Sequence, residues 1–283
     1  MTAEVELLGC DFSSRPSAKK QIVLAFGRLL DGRVQLLKLE RFTSLAAWQQ
    51  RLQQGAWVGG FDLPFGLPRE WVLAQAGWPT DWQACMDRFA TTDRAELRQR
   101  FKAFCDARPA GAKFAHRATD GLAGSSPSMK WVNPPVAWMM HAGVPVLREL
   151  GAWFVAHEPP PSGARTNIPP RVALEVYPGL LAREVLGRTS YKADDPARQD
   201  AARLLARKTL VESLEQGRTR LGLRLKLTTA QAGLLVDDPT GDSVDAVLCL
   251  VQAAWALLRR DDALQPYGLP TAVDSLEGWI VTA

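Results

Sequence analysis

A chain of 283 residues, 47% hydrophobic and 23% charged, is long enough to bury a core without disulfides and too apolar for wholesale disorder. Its formal net charge of +4 is compatible with a polyanionic partner without requiring one. No apolar run reaches the ~20 residues that cross a bilayer, which argues against a membrane protein.

The opening Met1-Thr2-Ala3-Glu4-Val5-Glu6 lacks the basic and apolar regions of a signal peptide, so the expectation is a cytoplasmic protein. Cys10, Cys85, Cys105 and Cys249 form no CxxC pair, and His116, His141 and His157 stand at no metal-ligand spacing with them. Reduced, buried thiols are expected rather than a zinc site.

Val5 to Asp11 is an apolar run that predicts a buried strand. Gln21 to Leu29 predicts a second strand, Asp31-Gly32 a hairpin turn, and Val34 to Leu39 a third strand. Ser44 is a suitable N-cap for a helix carrying Leu45, Trp48 and Leu52 on one face. Ala56 to Asp62 predicts a fourth strand, punctuated by Pro64 and Pro68. Between Pro68 and Pro170 the texture changes: six tryptophans, helical stretches near Arg94 to Ala107 and Val144 to His157, and a polar segment, Lys113 to Lys130, that reads as a long loop. Pro159-Pro160-Pro161-Ser162-Gly163 closes this region like a linker. The core pattern resumes with a strand at Arg171 to Tyr177, an arginine-rich amphipathic helix at Ala197 to Gln216, and a strongly apolar helix at Ser243 to Leu258. The expected organisation is a core of residues 1–68 and 171–283 with a largely helical insertion or cap over 69–170.

Three acids, Asp11, Asp62 and Glu175, stand in or at the ends of apolar strands, and Asp242 and Asp245 lie three apart at the front of the last helix, on one face. Buried carboxylates need hydrogen bonds, a counter-ion or a metal, and an all-oxygen set suits a hard cation such as magnesium. Each has a plainer role open to it. Asp11 can end a strand, Asp62 can form a turn, Glu175 can face solvent from an edge strand, and Asp242 can cap a helix. Asp245 is the least easily explained that way, because its neighbours are almost wholly apolar.

Gly9-Cys10-Asp11-Phe12-Ser13-Ser14-Arg15-Pro16 resembles the opening strand and turn of domain-of-unknown-function family 429, whose members are predicted nucleases of ribonuclease H-like fold. Gly60-Phe61-Asp62-Leu63-Pro64-Phe65-Gly66-Leu67-Pro68 resembles that family's second acidic motif, Glu175-Val176-Tyr177-Pro178 its third, and Asp242-Ser243-Val244-Asp245-Ala246 its helical acid pair. Tyr191-Lys192 is a shorter match. The resemblance implies a ribonuclease H-like mixed sheet flanked by helices, in which the first strand, the fourth strand and the last helix bring acids to one metal site. It thereby nominates Asp11, Asp62, Asp242 and Asp245 as ligands of magnesium or manganese, with Glu175 a fifth catalytic acid, and phosphodiester hydrolysis on nucleic acid as the function.

Ser13, Arg15, Lys113, Arg117, Lys130 and Lys192 are then the candidates for holding substrate phosphates, with Lys19 and Lys20 close to the first acidic strand. Trp131 is a candidate for stacking on a base, with anchoring of the cap the weightier alternative. Two further classes remain open: a small-molecule phosphotransferase or nucleotide hydrolase, although no GxxxxGK[ST] loop is present, and a non-catalytic binding module whose acids serve only as hydrogen-bond acceptors.

Overall fold

The computed structural model describes residues 5–163 and 168–283, so the opening Met1 to Glu4 lies outside the described residues. The strands β1 (Glu6–Asp11), β2 (Ile22–Leu30) and β3 (Arg33–Phe42) form an antiparallel meander. Asp31 and Gly32 make its tight turn, both with positive φ, the conformation that a two-residue hairpin demands. Helix α1 (Leu45–Leu52) is capped by the Ser44 hydroxyl, which accepts from the Ala47 amide at 3.2 Å. The chain then enters β4 (Trp57–Asp62), which lies parallel to β1.

The next hundred residues supply α2 (Arg69–Leu73), α3 (Trp82–Thr91), α4 (Arg94–Asp106), α5 (Ala118–Ala123) and α6 (Val136–Glu149), followed by a two-residue strand, β5 (Trp153–Phe154). Two expectations are corrected here. The helix expected from Val144 to His157 instead begins at Val136 and ends at Glu149, where Gly151, with φ 67°, turns the chain into β5. The segment read as a loop from Lys113 to Lys130 contains α5, held by buried polar contacts that a one-dimensional pattern does not reveal.

The chain returns through β6 (Arg171–Glu175), α7 (Pro178–Leu186), α8 (Ala201–Gln216), β7 (Arg224–Lys226), α9 (Thr229–Asp237) and α10 (Asp242–Leu257). One mixed seven-stranded sheet results, in the order β5-β6-β4-β1-β2-β3-β7. This is an α/β protein with helices on both faces. No helix among the described residues is long and apolar enough to cross a membrane.

The two faces differ in chemistry because strand side chains alternate. Leu8, Cys10, Phe12 and Phe61 join an aromatic core with Trp48, Trp71, Trp82 and Phe101, so the 69–170 segment shares its core with the sheet. Leu7, Val58, Val172 and Leu174 point the other way, into an aliphatic core with α7, α8 and α10.

On that second face, Gly9 and Gly60 lie opposite each other in the β1–β4 register, and α10 passes directly over them. A Cβ on Gly9 would come well within 3.0 Å of the Ala246 carbonyl and the Leu250 amide, and one on Gly60 would lie 2.7 Å from the Cys249 carbonyl. The absence of side chains there is what lets a helix backbone sit against the sheet. Helix α10 is accordingly buried on nearly all sides, and its near-continuous apolar sequence follows from that position.

We expect Gly9→Ala to cost about 3 kcal/mol or more, at the upper end of overpacking effects. Gly233→Ala, on α9 where a Cβ meets nothing within 4 Å, should instead be neutral or gain up to about 1 kcal/mol. Urea denaturation of the two variants checks the contrast.

Candidate active site

Strand pairing sets Asp11 against Asp62, one register step beyond Gly9 and Gly60 along the alternating face. Both carboxylates therefore rise toward the first turn of α10, which carries Asp242 and Asp245. Asp11, Asp242 and Asp245 are buried, with Asp245 wholly inaccessible, and Asp62 is half-buried.

The start of α10 is fixed from outside. Asp238 accepts from the Thr240 hydroxyl at 2.6 Å and the Ser243 amide at 2.9 Å, and it pairs with Arg41 at 3.0 Å. Burial opposes its charge, but these hydrogen bonds hold its pKa down to about 2. Gly241 precedes the helix with φ 76° and lies so close to Lys192 that a Cβ would approach its Cβ to 2.8 Å. That contact brings the 187–200 connection, with Tyr191 and Lys192, over the acids.

Two lysines answer the four carboxylates. The Lys20 ammonium donates to Asp242 at 2.7 Å and lies 3.6 Å from Asp194, and Lys192 pairs with Asp245, which also accepts from the Tyr191 hydroxyl. Burial works against the charge on each lysine, yet the surrounding carboxylates raise both above the ordinary lysine value. Each lysine side chain remains 44% exposed.

Asp11 and Asp62 are different. Among the described residues, no hydrogen bond or ion pair reaches either carboxylate. Burial, reinforced by Asp245 and Asp242, pushes Asp11 well above the ordinary carboxylate range. Burial and Asp245, partly offset by Lys192, raise Asp62 to about 7. Two ammoniums against four carboxylates leave an excess of two negative charges when all are ionised, the amount that one divalent cation cancels. The oxygen-only donors at Asp11 and Asp62 suit a hard cation.

Among the described residues, no group of three or more His, Cys, Asp or Glu side chains stands as a ready ligand set. One oxygen of Asp242 is engaged by Lys20, and those of Asp245 by Tyr191 and Lys192. The buried thiols of Cys10 and Cys249 are pushed up by burial and by these acids, which keeps them protonated.

Glu175 is corrected from its expected place in the cluster. It pairs in register with Phe61, on the aromatic face of the sheet, opposite to Asp11 and Asp62. Its oxygens accept from Arg117 at 2.5 and 2.8 Å and from the Phe65 amide at 2.9 Å. Arg117, expected to face phosphates from a loop, is 2% exposed and also holds Asp120 at 2.9 Å. Its donors are spent on buried carboxylates, so the guanidinium joins α5 to β6 and has none left for substrate.

Lys113 lies exposed beside the end of α4, where its charge acts on Asp106 and Cys105. Lys130 is half-buried, its backbone amide donating to Pro127. Ser13 is half-buried and Arg15 exposed on the loop after β1. Trp131 stacks on Phe101 at 5.7 Å and 11°, which makes it an anchor of the aromatic core. Of the expected substrate contacts, Lys192 is the one that meets an acid of the cluster.

Lys20 was expected only as a candidate phosphate contact and Tyr191 only as part of a short motif, while the Gly9–Gly60 pair was not nominated for a role. The positive charge of Lys20 near Asp11 was readable, but its partner 222 positions away was not.

Comparison with protein-family models, curated proteins and solved structures found no match. The functional reading therefore rests on the geometry of the site.

A raised native pKa on an acid means that the native state holds a proton the unfolded chain releases. Stability should then fall as pH rises from about 4 to about 7, and change little above that through Asp62. Asp62→Asn should match wild type near pH 4 and exceed it at pH 8, by at most about 4 kcal/mol. Thermal melts across this range, with and without magnesium, measure it, and magnesium should restore wild-type stability at pH 8.

Arg117→Met strips two buried carboxylates of their counter-charge and should cost about 3–5 kcal/mol. Lys113→Met should change stability by less than about 0.5 kcal/mol. Paired urea titrations would show the difference.

Proposed function

We propose that this protein is a divalent-metal-dependent nuclease of ribonuclease H-like fold, hydrolysing phosphodiester bonds with Asp11, Asp62 and the first turn of α10 as its centre. The observation that carries this reading is the Asp11–Asp62 pair, two carboxylates side by side on adjacent parallel strands, without hydrogen-bond partners, in a site where acids outnumber lysines. Carboxylate oxygens without a protein partner are free to take an ion or water. The origin of the acids agrees with the resemblance read from the sequence: β1, β4 and α10 are the first strand, the fourth strand and the last α-helix of the described residues.

Asp11 and Asp62 would hold magnesium or manganese, with Asp242 and Asp245 adding oxygens as their lysines move toward solvent. The metal supplies easier ionisation of a water and an offset to the charge that builds on the phosphoryl oxygens. Hydrolysis forms one bond from the water oxygen to phosphorus and breaks one ester P–O bond, with the water's proton passing to bulk and the leaving oxygen taking one up. Lys20 and Lys192, both half-exposed, would then bind non-bridging phosphate oxygens.

A second reading has its own observation. Each acid of α10 already carries an ammonium, as expected of a non-catalytic cluster kept for folding.

Calorimetry with manganese separates the two. The nuclease reading expects binding by wild type, none by the Asp11→Asn, Asp62→Asn double variant, and polynucleotide cleavage that falls at least about a hundredfold in Asp11→Asn. A wild type that binds no manganese and cleaves nothing would favour the structural cluster.

A further inference from the structure

Resting on that reading, we infer that the substrate presents unpaired nucleotides on both sides of the scissile phosphate, so that the protein acts on a single strand or strand end rather than on a duplex or junction. Two cavities, of about 210 and 200 Å³, share Asp62 and Tyr177 as wall residues. The acid that marks the reaction centre thus borders both, as does Tyr177. Each falls below the ~300–1,000 Å³ of a pocket for a drug-sized ligand. Each has room for one base-sized group.

The walls differ in kind. The first cavity runs along α7 to Thr189 and Lys192, placing an ammonium beside the phosphate position. The second is roofed by the 69–170 segment, with Val136 and Met139 offering an apolar surface and Ser126 a hydroxyl for a base edge, while the Arg117–Glu175 pair, already satisfied by each other, forms part of its wall. A ring face beside an apolar wall is what recognition of splayed, single-stranded bases uses.

Tyr177 is held ready for this. A Cβ on Gly179 would lie 2.6 Å from its Cζ, so glycine there makes room for the ring. The Arg183 guanidinium lies 5.2 Å from the ring centroid and is itself fixed by donating to the Ala123 and Gly124 carbonyls at the end of α5. The 69–170 segment therefore both walls one cavity and braces the ring of a residue that borders both.

The test compares methyl p-nitrophenyl phosphate, a dinucleoside monophosphate, a single-stranded ten-nucleotide oligomer and the same sequence as a duplex, each with manganese and with magnesium. Wild type should prefer the single strand over the duplex by about a hundredfold in kcat/KM, the worth of two base stacks. Tyr177→Ala should raise KM for the dinucleotide about tenfold while kcat moves less than threefold, and Tyr177→Phe, which keeps the ring, should recover KM. Should Tyr177→Ala fail to fold, Thr189→Trp, an exposed position on the rim of the first cavity, should raise KM similarly by filling it. Equal or better cleavage of the duplex, or a KM unmoved in these variants, overturns the inference and leaves the nuclease reading standing. Inactivity on all four substrates, methyl p-nitrophenyl phosphate included, removes both.

Discussion

The closeness of α10 to strands β1 and β4 is the constraint on which the rest of the molecule depends. Gly9 and Gly60 are paired across the strands and offer no side chain to keep the helix away. With backbone against backbone, the helix front arrives over the strand ends, and the acids of all three elements are forced into one low-dielectric region. Burial first, and their mutual repulsion after it, raise the pKa values of Asp11 and Asp62. Lys20 and Lys192 relieve part of it from two separate loops, and Asp238 with Arg41 anchors the helix start from outside. The two strand-borne aspartates have no hydrogen bond to stabilise their charge, and each holds its proton above the ordinary carboxylate range.

The sheet also separates two kinds of buried acid. On the α10 face the carboxylates outnumber their cations and are only partly satisfied. On the aromatic face Glu175 and Asp120 close around Arg117, with the Phe65 amide completing the shell. A buried arginine with bidentate partners is a rigid joint, and this one ties β6 to α5. Val281 donates to the Glu175 carbonyl and Glu277 accepts from the Arg69 and Ala118 amides, which bind the end of the chain into the same joint. The contrast explains why neighbouring acids on one sheet edge take different parts. A satisfied carboxylate stabilises the framework, and an unsatisfied one keeps its lone pairs for a cation or a proton.

The 69–170 segment belongs to this framework. Its tryptophans complete the aromatic core under β1 and β4, and its last residues, Trp153 and Phe154, extend the sheet beside β6. His157 stacks on Trp82 and its Nδ1–H donates to the Ser275 carbonyl, with burial pulling its pKa down to about 3, so it serves the core as a neutral ring. Placing Val136, Met139 and Ser126 over Asp62 is then a by-product of covering the sheet, and it gives the segment a share in the candidate site.

The strands, the Asp31-Gly32 turn, the Ser44 cap and the apolar last helix were legible in the sequence because each rests on local rules: side-chain period, capping chemistry and glycine at positive φ. Asp11, Asp62 and Asp245 were legible as anomalies, charges in runs that should be apolar. Partnership was not. Glu175 carried the same local signal as Asp11, an acid ending an apolar strand, and only strand pairing put it on the opposite face. Arg117 looked like a loop cation, and only the return of β6 beside α5 buried it. Lys20 finds Asp242, and Lys192 finds Asp245, across distances of chain that no spacing rule spans. The sequence by itself determined which residues had to be explained, since the cost of burying a charge is a property of the residue and its neighbours. The tertiary structure decided which were satisfied, since a counter-charge acts through space, and space is assigned by sheet order and helix packing.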